Sequence, residues 1–87
     1  MPEEMKLLRE ALDKKQIYWE DDTTDKSEGF PFLDLSIYRT KFRHNGHSYS
    51  VISGYGTYGG DYGLLELTID SRDPIGRLTH EEVMEWI

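Results

Sequence analysis

The segment SGYGTYGGDYG, residues 53–63, concentrates tyrosines and glycines, residue types that often contact ligands. Gly54, Gly56 and Gly59 match the G-x-G-x-x-G pattern of dinucleotide-binding proteins. That fingerprint requires a helix directly after the glycines, so that a phosphate meets the helix N-terminus. The residues that follow, LLELTID, alternate like a strand, and the chain lacks the catalytic-loop and D-F-G motifs of protein kinases. We therefore interpret the segment as a crossover between two strands.

A ligand could still be held between this crossover and a basic strand. Tyrosine rings can stack on a base, and the N–H groups of adjacent glycines can donate to an anion. Just upstream, three cationic residues alternate and so share one face of a strand. The predicted ligand- or partner-binding residues are Tyr55, Tyr58, Gly59, Gly60, Tyr62, Arg39, Lys41 and Arg43. The alternatives are tyrosines that pack inside the protein or its dimer, and a basic strand face that only meets solvent.

Other candidate chemistry is weaker. His44 and His47 are expected to face each other across a turn, but zinc takes three or four protein ligands. His80, which follows a helix cap, is expected to be exposed. The acidic run 20–28 has Lys26 where a calcium loop requires glycine. Because the sequence has no cysteine and no nucleophile at motif spacing from a base, we predict no metal, no cofactor and no enzymatic activity.

The strongest local signal is a β-hairpin around Asn45-Gly46, which lies between two runs of alternating residues within 32–53. Counting outward from a two-residue turn gives the register. The predicted pairs are His44 with His47, Phe42 with Tyr49, and Thr40 with Val51, while Arg39, Lys41, Arg43, Ser48, Ser50 and Ile52 lie on the opposite face. The basic residues are thus predicted to share their face with two serines and one isoleucine.

The remaining elements follow from apolar periodicity. Residues 3–15 have helical spacing, with acidic residues in the first turn and basic ones in the last. Strands are expected at 16–20 and 65–69, a turn at 70–77, and a short final helix that begins with the capping box of Thr79 and Glu82. We predict one α+β domain over residues 1–87, of order α-β-β-β-β-α. An antiparallel sheet of about four strands would carry an N-terminal helix and a short C-terminal helix on one face.

Charge narrows the classes of partner. The chain has 87 residues and a net charge of −7, so its overall field would repel nucleic acid. A small anion held locally by the basic strand, or an acidic surface that occupies a basic host protein, both remain open. The absence of a long apolar run predicts no membrane contact and a cytoplasmic location. A small core without cysteine favours a homo-oligomer.

The second half of the chain resembles a group of short uncharacterised proteins of gut bacteria and their prophages or mobile elements. The resemblance rests on YSVISGYGTYGG, GLLEL and PIGRLTHEEVMEWI, and it covers about residues 38–87. The group's pattern, G-x-G-[ST]-Y-G, then G-L-L-E, then P-I-G-x-L-T-x-E-x-V, implies no activity. It supplies a context in prophages and mobile elements, not a chemistry.

Three functions are consistent with these observations. The first is a small non-enzymatic binding protein of prophage type, an anti-defence factor that occupies a host protein. The second is an oligomeric module that binds or sequesters a nucleotide-like small anion through its Tyr/Gly-rich loop and basic strand face. The third is a structural accessory protein with no ligand. Nucleotide binding is the easiest to separate from the other two, because a ligand that binds only the folded state raises its stability.

Overall fold

A computed structural model describes residues 1–24, 36–54 and 63–87. In chain order these contain helix α1 (Glu3–Lys14), strands β1 (Trp19–Asp21), β2 (Ile37–His44), β3 (His47–Gly54), β4 (Leu65–Ile69) and β5 (Ile75–Leu78), and helix α2 (His80–Glu85). The strands form one antiparallel sheet in the order β1-β2-β3-β4-β5. The predicted α+β class and both terminal helices are confirmed.

The two faces of the sheet differ in what covers them. Core side chains of the strands pack with Met5, Leu8 and Leu12 of α1 and with Val83 of α2 in one hydrophobic cluster. Both helices therefore lie on the same face, which we call the core face. Alternation along the strands places a second set of residues on the opposite, outer face. That set is Glu20, Ile37, Arg39, Lys41, Arg43, Ser48, Ser50, Ile52, Gly54, Glu66 and Thr68.

The β2–β3 hairpin has the predicted register, with His44 opposite His47 and Phe42 opposite Tyr49. Asn45 and Gly46 have φ angles of 50° and 81°. A two-residue turn whose twist matches that of the strands needs positive φ at both positions, which asparagine and glycine tolerate. The turn thus fixes the register, and with it the separation of the basic side chains from the core.

Helix α1 ends in a motif that we did not predict from the sequence. The N–H of Ile17 donates to the carbonyl of Leu12 at 2.9 Å, and the N–H of Gln16 donates to that of Asp13 at 3.0 Å. This is the hydrogen-bond pattern of a Schellman motif, with Gln16 at φ 58° where glycine is usual. The strand predicted at 16–20 therefore begins later, at Trp19, because Gln16 and Ile17 complete the helix end.

A fifth strand was missed. Residues 70–77 were predicted as a turn, but β5 pairs Leu78 with Leu65 and Ile75 with Leu67. The register shifts between these two pairs, and Arg77 has φ 61°. A bulge of this kind puts two core residues three positions apart and so removes the period-two signal that reveals a strand.

Helix α2 begins as predicted. The Thr79 side chain accepts from the N–H of Glu82, and the Glu82 carboxylate accepts from the N–H of Thr79 at 3.1 Å. Leu78 and Val83, on either side of this capping box, are both buried. In the described part of the chain, no helix is long and apolar enough to cross a bilayer.

The beginning and end of the chain are joined by one carboxylate. The Glu4 carboxylate lies 2.6 Å from both the backbone N–H and the ring Nδ1 of His80. Glu4 is in the first turn of α1, and His80 is the first residue of α2. The carboxylate therefore lies near the N-termini of both helices, where the helix dipole favours a negative charge. Burial raises the pKa of Glu4, but the hydrogen bonds and charge of His80 outweigh it and hold that pKa below the ordinary value.

We expect Glu4→Gln to destabilise the protein by about 2 kcal/mol at pH 7, since hydrogen bonds to a charged group are lost. A lowered folded-state pKa means that the stability contributed by Glu4 is complete above the ordinary carboxyl pKa and disappears as the pH falls through the lowered one. The difference from the wild type should therefore shrink toward pH 2 in urea unfolding curves. Glu10→Gln, at an exposed position of α1, is the control and should change little at either pH. An unchanged difference at acid pH would contradict this assignment.

Gly54 and Gly46 allow a matched test of backbone constraint. At Gly54, with φ 137°, an added Cβ would overlap the carbonyl oxygen of Ser36, whereas at Gly46, with φ 81°, it would meet open space. Gly46→Ala should cost about 1 kcal/mol of strain. Gly54→Ala should cost about 3 kcal/mol or more. Urea unfolding of both variants would measure this, and equal losses would show that the Ser36 backbone moves aside.

Candidate functional site

The predicted binding residues fall into two groups. Tyr55, Tyr58, Gly59, Gly60 and Tyr62 lie outside the described residues. Arg39, Lys41 and Arg43 lie on the outer face of β2, where their register partners on β3 are Ile52, Ser50 and Ser48. The structure thus brings the three cationic residues onto one face with Ser48, Ser50 and Ile52, as the hairpin register predicts.

A groove of about 380 Å³ lies at the end of this face nearest the hairpin turn. Its lining residues are Tyr18, Glu20, Lys41, Phe42, Arg43, Ser48 and Tyr49. Phe42 and Tyr49 belong to the core face, where their rings stack with centroids 4.9 Å apart. The other five present an aromatic ring, a hydroxyl and charges of both signs. The volume is within the range of small-molecule sites.

The three basic side chains are not equivalent. Oδ2 of Asp22 lies 3.6 Å from Nη1 of Arg39 and 3.6 Å from Nζ of Lys41, so one carboxylate partly neutralises both. These are exposed pairs, which contribute little to stability. The Arg43 guanidinium is exposed and, within the described residues, has no hydrogen bond or ion pair. Arg43 is therefore the cation in the groove that is free to bind a ligand.

Tyr18 was not predicted as a site residue. Its side chain is 78% exposed, although tyrosine is a large apolar residue. Trp19, the first residue of β1, pairs with Phe42, and Tyr18, one position earlier, lines the groove together with Arg43. The alternation in IYWED separates Tyr18 and Glu20 from Ile17 and Trp19, and this pattern was visible in the sequence. Only the pairing of β1 with β2 shows which residues become their neighbours.

Arg9 of α1 holds β1 in place from the core face. Its Nε donates to Oγ1 of Thr40 at 2.8 Å, and its Nη2 donates to Oδ1 of Asp21 at 3.1 Å and to the carbonyl of Arg39 at 3.3 Å. The guanidinium also lies 4.7 Å from the centroid of Trp19. One side chain therefore fixes the edge strand that carries Glu20 on its other face.

The partners of Asp21 complete this arrangement. The hydroxyl of Thr23 donates to the Asp21 carboxylate, as does the N–H of Thr23 at 3.1 Å. The Thr23 hydroxyl is the largest cause that lowers the pKa of Asp21, and the charge of Arg9 acts in the same direction. Asp21 therefore stays ionised at neutral pH and keeps its ion pair with Arg9, whose side chain is only 12% exposed.

Asp70 fixes the tip of the hairpin. Its Oδ1 accepts from the N–H of Ser48 at 2.8 Å, and its Oδ2 lies 2.7 Å from Nδ1 of His47. The Ser48 N–H, followed by His47, lowers the pKa of Asp70. Because Ser48 lines the groove, the Asp70 carboxylate helps to position a residue that contributes a hydroxyl group to the groove.

The histidines do not form a metal site in the described part of the chain, where no group of three or more potential ligands occurs. His44 and His47 are register partners, but His47 is paired with Asp70. The expectation that His80 would be exposed was wrong, since its side chain is only 20% exposed and bonds to Glu4. This contact joins residues 76 positions apart, so the residues near His80 in sequence could not indicate it.

No protein-family model matches the chain. Comparisons with curated proteins and with solved structures give no match either. The resemblance to short proteins of gut bacteria and prophages stays a prediction, and the function has to be argued from the groove itself.

Arg9→Lys tests whether this contact holds the edge strand. Lysine keeps the charge but cannot reproduce the three hydrogen bonds or the planar stacking on Trp19, so we expect a loss of about 1–2 kcal/mol in the free energy of unfolding. Hydrogen exchange measured by NMR should accelerate in β1 more than in β3 or β4. Arg72→Lys, in the exposed turn after β4, is the matched control. Uniform acceleration across the sheet would contradict a local role.

Proposed function

We propose that this protein is a small, non-enzymatic binding protein whose outer-face groove holds a nucleotide-like anion. The observation that carries the proposal is the free guanidinium of Arg43 next to the exposed ring of Tyr18, in a groove of about 380 Å³. A cation that has no partner among the described residues, beside an aromatic ring largely open to solvent, suits a ligand with an anionic end and a flat end.

The anionic end would bind at Arg43. A guanidinium presents forked N–H donors that match two oxygens of a phosphate. Ser48 is the register partner of Arg43 and adds a hydroxyl donor from the neighbouring strand. Lys41 adds positive charge on the same face, partly offset by Asp22. These groups form a local basic site on a protein whose net charge is −7.

The flat end would stack on Tyr18. Stacking of a base on an aromatic side chain contributes about 1–3 kcal/mol and tolerates any base. Stacking would also cover a ring that is 78% exposed in the free protein. Tyr18 thus takes, within the described residues, the role that the sequence assigned to Tyr55 and Tyr58.

The structure favours this function over the alternative in which an acidic surface of the protein occupies a basic host protein. Five described carboxylates form ion pairs within the molecule: Asp21 with Arg9, Asp22 with Arg39 and Lys41, Asp70 with His47, and both Glu4 and Glu81 with His80. Acidic groups already paired internally are less available to bind a basic host protein. Occupation of a host defence protein, a homo-oligomeric state and a cytoplasmic location stay predictions.

The test is a thermal-shift screen with purine and pyrimidine nucleotides, followed by titration calorimetry of any that bind. A bound nucleotide should raise Tm by a few degrees at ligand concentrations well above Kd. Arg43→Gln should weaken binding by about tenfold or more, because a charge-assisted contact to the phosphate is lost. Lys6→Gln removes the same charge from an exposed position of α1, on the other side of the sheet, and should leave affinity unchanged.

Two results would count against the proposal. Nucleotides that cause no shift in Tm would exclude this ligand class and leave occupation of a host protein and the structural accessory role as the alternatives. Equal weakening by Arg43→Gln and Lys6→Gln would show that only the overall charge of the protein matters, not the groove.

A further inference from the structure

The groove contains a group that a simple phosphate site does not need. Glu20 lies on the outer face of β1 as the register partner of Lys41, and it lines the same groove as Arg43. Lys41 forms its ion pair with Asp22 instead. In the ranges that the structure describes, the Glu20 carboxylate has no hydrogen bond or ion pair. A free carboxylate repels phosphate, so Glu20 and Arg43 must contact different parts of a ligand.

The sheet separates these parts by a defined distance. Glu20 is on β1, Arg43 is on β2 and Ser48 is on β3. Neighbouring strands are about 4.8 Å apart and residues two apart on a strand about 6.8 Å, so the Cα atoms of Glu20 and Arg43 are separated by about 8 Å, and Ser48 lies one strand further on. A ligand that crosses the strands would place its phosphate at Arg43 and Ser48, and the far edge of its flat group at Glu20. This span matches a nucleotide, whereas the two charges of an α-amino acid are too close together.

Tyr18 directly precedes β1, Glu20 lies two positions later within it, and both line the groove. Two residues of extended chain span about 6.8 Å. A base stacked on the ring of Tyr18 would therefore present its edge to the carboxylate. An ionised carboxylate only accepts hydrogen bonds, and two adjacent N–H donors satisfy both of its oxygens.

We infer that the groove selects a guanine nucleotide, with Glu20 as the residue that determines the choice of base. This inference rests on the proposed function of the groove. The Watson–Crick edge of guanine presents two neighbouring N–H donors, at N1 and at the exocyclic amine. Adenine and cytosine each present one donor next to an acceptor, and a carboxylate repels that acceptor. Uracil has one N–H between two carbonyls.

The experiment compares GMP, AMP and inorganic phosphate by calorimetry on the wild type, Glu20→Gln and Glu10→Gln. The wild type should bind GMP at least tenfold more tightly than AMP. In Glu20→Gln, the amide offers one donor and one acceptor, which fits adenine. GMP affinity should therefore fall about tenfold while AMP affinity rises. Glu10→Gln makes the same change in charge on exposed α1 and should preserve the wild-type preference.

The outcomes separate this inference from the proposed function. If both nucleotides bind equally, depend on Arg43 and ignore Glu20→Gln, the anion site stands and base selection is overturned. If neither nucleotide binds, the proposed function fails as well. If Glu20→Gln weakens GMP, AMP and phosphate alike, Glu20 acts only through the structure of β1, which would also overturn the inference. Reversal of the base preference supports it, because loss of structure cannot improve AMP binding.

Discussion

The register of the β2–β3 hairpin is the constraint on which the rest of the molecule depends. The left-handed backbone of Asn45 and Gly46 closes the turn with two residues, so His44 must face His47. Because side chains alternate along a strand, a slip of one residue would exchange the two faces of β2 relative to β3. The same turn therefore places Phe42 in the core and Arg43 at the groove, and a local backbone preference sets both the stability and the chemistry of the sheet.

In the described parts of the chain, both helices pack on the same face of the sheet, and a contact between them holds them together. The carboxylate of Glu4 in α1 binds the N–H and ring of His80 in α2, so both helices lie side by side above the core. No described helix lies on the outer face. A sheet between two helical layers needs apolar residues on both faces, whereas the outer face here is mostly polar and charged, with Ile37 and Ile52 as apolar residues among the described strands. The groove lies on this mostly polar face.

The groove depends on contacts made on the opposite side of the sheet. Arg9 reaches from α1 to Thr40, Asp21 and the backbone of Arg39, and packs on Trp19. These contacts hold a strand of only three residues against β2. Such a short edge strand has few hydrogen bonds of its own, so its position is set by tertiary contacts. Arg9, on the core face, thereby positions the outer-face residues that would contact a ligand.

Local signals in the sequence determined the two helices, the hairpin register, the capping box at Thr79 and the shared face of Arg39, Lys41 and Arg43, because each arises from neighbours within one turn or one strand. Only the tertiary structure decided the rest. β1 is joined to β2 by a segment too long to set a register, so the approach of Tyr18 and Glu20 to Arg43 could not be counted from a turn. The bulge in β5 removed the alternation by which a strand is recognised in the sequence. The contact of Glu4 with His80 joins residues 76 positions apart, so no local pattern indicates it. The physical reason is that short-range geometry fixes which way a side chain points, whereas long-range packing decides what it meets.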